Sequence, residues 1–186
     1  MYGDLLTNNA GFPQFFQTGP KASPNLAGGV LWADDVNGKF YAFGGYFPTG
    51  TPTRFDTWVF NDVEGSWSTE EMHGDSMAYV AHGMSAVAPD AGMAYYLGGY
   101  KDKQTHEGWP TSRTYMSQLI TFNMLTGEYS NHSGPDNFGR GEGHMAFIPA
   151  SWAGVLVYFG GVMQDPATGV ISGVSTLGPP SFFLSV

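Results

Sequence analysis

Apolar positions along this chain fall in short runs rather than at helical spacing. Val30-Leu31-Trp32-Ala33, Phe40-Tyr41-Ala42-Phe43, Met84-Ser85-Ala86-Val87-Ala88, Tyr95-Tyr96-Leu97 and Val157-Tyr158-Phe159 are each too brief for a helix and rich in aromatic and β-branched residues. Runs of four to eight such residues, bounded by turn formers, are read as strands. The segments between successive runs, Asp34-Asp35-Val36-Asn37-Gly38, Pro89-Asp90-Ala91-Gly92 and Pro149-Ala150-Ser151-Trp152-Ala153, have the chemistry of tight hairpins.

The runs repeat. An apolar strand closed by a glycine pair recurs as Phe40-Tyr41-Ala42-Phe43-Gly44-Gly45, Tyr95-Tyr96-Leu97-Gly98-Gly99 and Val157-Tyr158-Phe159-Gly160-Gly161. Upstream of each lies another strand that starts near a glycine, at Gly28, Gly83 and Gly143. Downstream of the first two, Phe60 and Trp67, and Phe122 and Tyr129, stand with six residues between them, a spacing suited to a hairpin with paired aromatics. Gly19, Gly74 and Gly134 stand nine residues before Gly28, Gly83 and Gly143. That offset places Phe15-Phe16-Gln17-Thr18 as the outer strand of a preceding unit.

Each unit therefore reads as four antiparallel strands, a to d. The first complete unit spans 26–33, 39–45, 56–61 and 67–72, the second 81–88, 93–99, 118–123 and 128–133, and a third begins with 142–148 and 154–161. A repeat of roughly 50 residues with these features resembles the kelch family. Gly44, Gly45, Trp67, Gly98, Gly99, Tyr129, Gly160 and Gly161 carry the resemblance. The segments Gly139-Arg140-Gly141-Glu142-Gly143 and Tyr158-Phe159-Gly160-Gly161-Val162 also look like a group of filamentous-fungal kelch proteins.

The resemblance implies an all-β, kelch-type β-propeller, with strand a nearest the axis and strand d at the rim. Rings close with about four to eight blades, so two full blades plus parts of two others make an incomplete one. The organisation expected is residues 1–25 as an outer strand and linker, 26–75 and 76–135 as blades, 136–175 as a partial blade and 176–186 as a divergent or disordered tail. Strands c and d of the third blade are expected to be missing. A fragment of a longer propeller, or an arc completed by another copy through its open edges, are the two readings of that shortage.

Composition narrows the partners. Sixteen acidic against seven basic residues give a formal charge of −9, without a basic cluster, which disfavours nucleic acid and anionic membrane surfaces. The absence of cysteine excludes disulfides, thiolate metal sites and cysteine nucleophiles. No basic leader or membrane-length apolar run is present in this chain; the fungal proteins it resembles look like cell-surface, membrane-anchored proteins. Asn131-His132-Ser133 is a glycosylation acceptor pattern.

Because strand direction alternates, the a-to-b and c-to-d turns share one end of the blades, and the longer b-to-c and d-to-a connections share the other. Long loops in compact domains are usually functional or disordered. Those connections carry Tyr46, Phe47, Arg54, Tyr100, His106, Trp109, Arg113, Tyr115 and Arg140; aromatics with arginine are the usual interface anchors, and the other reading of these residues is that they pack under their own loops, with Arg54 and Arg113 paired to local acids. The leading expectation is a non-catalytic scaffold presenting this end to a protein partner, with a glycan as the second partner class and no cofactor. Two alternatives stand beside it: a metal or redox enzyme of the galactose-oxidase-like type, and a truncated product without independent activity.

The enzyme alternative is tested by residues. The galactose-oxidase-like copper site includes a tyrosine crosslinked to cysteine, which this chain lacks. The iron-dependent specifier proteins resemble it too, but where their pattern has Glu, Asp and His four apart, Glu71 and Asp75 are followed by Tyr79. Glu142 and His144 stand two apart on an expected strand and so would share a face. His73, His82, His106 and His132 read as ordinary hydrogen-bonded histidines.

Overall fold

The computed structural model describes residues 25–150 and 154–173, and the backbone of 183–185. Its strands, in chain order, begin with β1 (Ala27–Asp34), β2 (Lys39–Tyr46), β3 (Thr57–Asn61) and β4 (Ser66–Glu70), which form the first blade. A short strap, β5 (His73–Gly74), leads to β6 (Met84–Ala88), a 3-10 turn at Pro89–Ala91 and β7 (Met93–Leu97). β8 (Tyr100–Lys101) and β9 (Thr114–Tyr115) lie in the following connection, before β10 (Leu119–Asn123) and β11 (Glu128–His132). The remainder comprises β12 (Gly139–Gly141), β13 (His144–Ile148), β14 (Val155–Phe159), β15 (Val162–Gln164), β16 (Ile171–Gly173) and β17 (Phe183–Ser185).

The first sheet runs in the order β1-β2-β3-β4 and the second in the order β6-β7-β10-β11, with β5 added in parallel along the outer edge of β11. These are the two full blades expected, and their strand bounds agree with the sequence reading to within a few residues. The expected aromatic pairs are direct cross-strand partners: Phe60 faces Trp67, with ring centroids 5.4 Å apart, and Phe122 faces Tyr129 at 4.3 Å. Their turns share one device. Asn61 Oδ1 accepts the N–H groups of Val63 and Glu64, Asn123 Oδ1 accepts those of Leu125 and Thr126, and a left-handed glycine, Gly65 or Gly127, returns the chain.

The third blade departs from expectation. Its β13 and β14 pair as foreseen, but β17 runs antiparallel to β14, with Val155 opposite Ser185. The place of strand c, expected to be missing, is therefore taken by residues 183–185. Residues 162–173 form a hairpin that was not foreseen, and β12 joins it to make a sheet in the order β12-β15-β16. The sequence carries a signal for it: Asp165-x-x-x-Gly169 matches Asn61-x-x-x-Gly65, and Asp165 Oδ1 accepts the N–H groups of Ala167 and Thr168. The expected strand at 15–18 lies outside the described residues.

Blades stack face to face. Between the first and second, Trp32, Tyr41, Phe43 and Val59 meet Ala94, Tyr96, Ile120, Phe122 and Tyr129. Trp32 lies over both Phe43 and Phe122, at 4.8 and 5.6 Å. Alternation along each strand sends these rings to one face and Leu31 and Phe40 to the other, where both are exposed. A smaller core joins the second and third blades through Met84, Tyr95, Leu97, Leu119, Leu156 and Tyr158. Burial pushes the Tyr96 phenol well above its ordinary pKa, and its hydroxyl accepts the Gly83 N–H at 2.7 Å while donating to the Val80 carbonyl.

The glycine pairs mark where one blade's backbone meets the next. Gly45 N–H donates to Val80 O and Gly99 N–H to Arg140 O, both at 2.7 Å. A Cβ on Gly44 would stand 2.5 Å from Val80 O, and one on Gly98 would be closer still to Arg140 O. The register also corrects one alignment. Gly29 pairs with Gly44, as Gly143, next to the His144–Phe159 pair, lies beside Gly160. The residue equivalent to Gly83 and Gly143 is therefore Gly29, not Gly28, and the constant offset of nine residues does not hold for the first blade.

Candidate recognition surface at the long-loop end

The long connections are built, not loose. Phe47 N–H donates to Gln104 O at 2.9 Å and Gln104 Nε2 donates back to Phe47 O, tying the first blade's connection to the second's. Within the second, buried Asp102 accepts the Gln104 N–H through Oδ1, and Thr105 Oγ1 accepts the Asp102 N–H while donating to the Asp102 carbonyl. Arg140 N–H donates to Met116 O, and Tyr115 N–H to Gln164 Oε1, so the third blade's connection is joined as well. Among the described residues, the other end carries short turns.

Four of the nine expected contact residues, Tyr46, Tyr100, Arg113 and Tyr115, gather around two that were not foreseen, His82 and Glu142. The His82 ring lies between Tyr46 and Tyr100, with centroid distances of 6.0 and 5.6 Å and interplanar angles of 21° and 12°. The Arg113 guanidinium sits 4.2 Å from the Tyr100 ring centre, within cation–π range. Glu142 Oε1 accepts from the Tyr115 hydroxyl at 2.6 Å and from Arg113 at 3.0 Å. Burial first, and then the carboxylate beside it, push the Tyr115 phenol up to about 12.

The other five go elsewhere. Phe47 is buried against Tyr79, with centroids 5.0 Å apart. Arg140 is 2% exposed and pairs with both carboxylate oxygens of Asp136. Both are buried beneath the neighbouring connections. His106 and Trp109 stand towards the tip of the 100–117 connection, where Lys101 Nζ lies 5.5 Å from the Trp109 ring centre. Arg54 is exposed at the rim, lining a groove of about 650 Å³ with Glu70, Glu71, His73 and Asp75.

Glu142 and His144 do not share a face. Glu142 has a positive φ of 61° and precedes the strand, so the regular alternation does not reach it; His144 instead packs on Phe159. His132 bonds Thr121 Oγ1 through Nε2 at 3.2 Å. Among the described residues no three His, Asp or Glu side chains come together in a group able to hold a metal ion, and no helix is long and apolar enough to cross a membrane.

Sheets of this order, stacked through their flat faces and joined at glycine pairs, define a kelch-type propeller arc whose described sheets do not close. A curated relative, a kelch repeat-containing protein of Arthroderma benhamiae, is 27% identical over 187 residues, covering 84% of this chain and 27% of the relative. The chain thus spans about a quarter of the length of the relative it matches. No family model matches the chain.

Proposed function

We propose that the protein is a non-catalytic scaffold that holds the long-loop end of its blades as a recognition surface for a protein partner. The observation that carries this is the asymmetry of the two ends. Among the described residues one has tight turns, whereas the other spends buried Asp102, Thr105 and Arg140 on fixing its connections as short strand pairs. A surface already ordered loses less conformational entropy on binding. The likeness to a kelch repeat-containing protein supports a scaffold of this kind.

Site-specific photocrosslinking tests it. A photoreactive phenylalanine at Trp109 or Arg113 is expected to capture partner protein, while one at Val36 or Leu125, exposed in the turns of the opposite end, is not. Equal or greater capture at Val36 and Leu125 would refute this orientation.

A further inference from the structure

At the inner edge of the long-loop end, three residues occupy one place in successive blades. Gly28, His82 and Glu142 each stand immediately before one of the equivalent glycines Gly29, Gly83 and Gly143, and each has a left-handed backbone, with φ of 67°, 56° and 61°. Backbone bonds link them from blade to blade: His82 N–H donates to Gly28 O at 2.8 Å, and Glu142 N–H to His82 O at 2.7 Å. The first blade meets this geometry with glycine, the residue that adopts it without strain. Histidine and glutamate adopt it at a cost, and such strain gathers at functional sites.

Both residues line an open cleft of about 430 Å³, together with Gly28, Gly29, Gly83 and Gly143. We propose that this cleft binds a neutral polyhydroxylated ligand, a hexose unit of a glycan, with His82 and Glu142 as its hydrogen-bonding pair. The volume falls within the range of small-ligand sites, and four glycines contribute to its lining. Glu142 has one carboxylate oxygen committed to Tyr115 and Arg113; among the described residues its Oε2 and the ring nitrogens of His82 have no hydrogen-bond partner.

The chemistry selects neutral hydroxyls. Arg113 balances the Glu142 charge, so the cleft offers no net charge for an ionic ligand, and the chain's −9 disfavours acidic ones. What remains is an acceptor oxygen beside imidazole nitrogens that donate or accept, and each sugar hydroxyl does both. Tyr46 and Tyr100 hold the imidazole plane, so little side-chain freedom is lost on binding. This rests on the long-loop end being the recognition face, but it requires no protein partner.

The test is titration of the ¹⁵N-labelled full chain with methyl α-mannopyranoside, methyl β-glucopyranoside and methyl β-galactopyranoside, into the millimolar range expected of single sugars. At least one should saturably shift the amides of His82, Gly83, Glu142 and Gly143. E142A and H82G should each weaken that binding about tenfold or more. If a variant fails to fold, the location of the shifts in the unsubstituted chain decides. Absence of shifts with all three sugars, shifts confined elsewhere, unweakened binding by both variants, or tighter binding of glucuronate or glucosamine would each overturn the proposal. Sugar binding that survives W109A while protein capture is lost would separate this site from the partner surface.

Discussion

Alanine at Gly98 challenges the contact on which the stacking of blades depends. The residue has φ of 72°, so any side chain there adopts the left-handed region, at about 1–2 kcal/mol. Its Cβ would also press on the Arg140 carbonyl carbon at 3.0 Å and the Met116 carbonyl oxygen at 3.1 Å, both backbone atoms that move only with their strands. Relief of that overlap separates the second and third blades and removes the Gly99 N–H to Arg140 O bond, about 1 kcal/mol net. The expected total is about 3 kcal/mol. With an m-value of about 2 kcal/mol/M in urea, the midpoint falls by roughly 1.5 M.

Gly160 supplies the control within the same molecule. It holds the same place in the third blade, with φ of 70°, but among the described residues nothing lies within 4 Å of an added Cβ. G160A should therefore cost only the backbone strain, about 1 kcal/mol, and shift the urea midpoint by about a third as much. G44A, opposed by the Val80 carbonyl, should behave like G98A. Equal losses for G160A and G98A would refute the reasoning, because the glycine pair would then answer to the strand's own turn and not to the next blade.

Two further outcomes follow from the packing. The Arg140 guanidinium beside Asp136 holds that carboxyl below its ordinary value of 3.8, so the pair's contribution is present above that value and is lost as pH falls through the lower, folded one. D136N should be less stable than the parent at neutral pH, and the gap should narrow in urea melts below about pH 4; a constant gap would count against the pairing. Phe122, fully buried against Trp32, Tyr41 and Tyr129, should cost about 3–5 kcal/mol as alanine, read as a lower thermal midpoint; a loss below about 1 kcal/mol would contradict the described core.

What the amino-acid order determined by itself was local. Strands at 27–34, 39–46, 84–88 and 93–97 follow from runs of apolar and β-branched residues; the turns follow from Asn and Gly at fixed offsets; and the pairings of Phe60 with Trp67 and Phe122 with Tyr129 follow from their spacing. Each depends on neighbours a few residues away, where backbone geometry leaves little choice. Tertiary structure decided the rest. Tyr46, His82, Tyr100, Arg113 and Glu142 come from three blades and meet only through stacking and twist, which no local period encodes. Arg140 and Phe47 resembled surface anchors in sequence, yet neighbouring connections cover them. The place of Gly29, the hairpin at 162–173 and the pairing of 183–185 likewise depend on which backbone lies alongside, and hydrogen bonds between segments distant in the chain settle that.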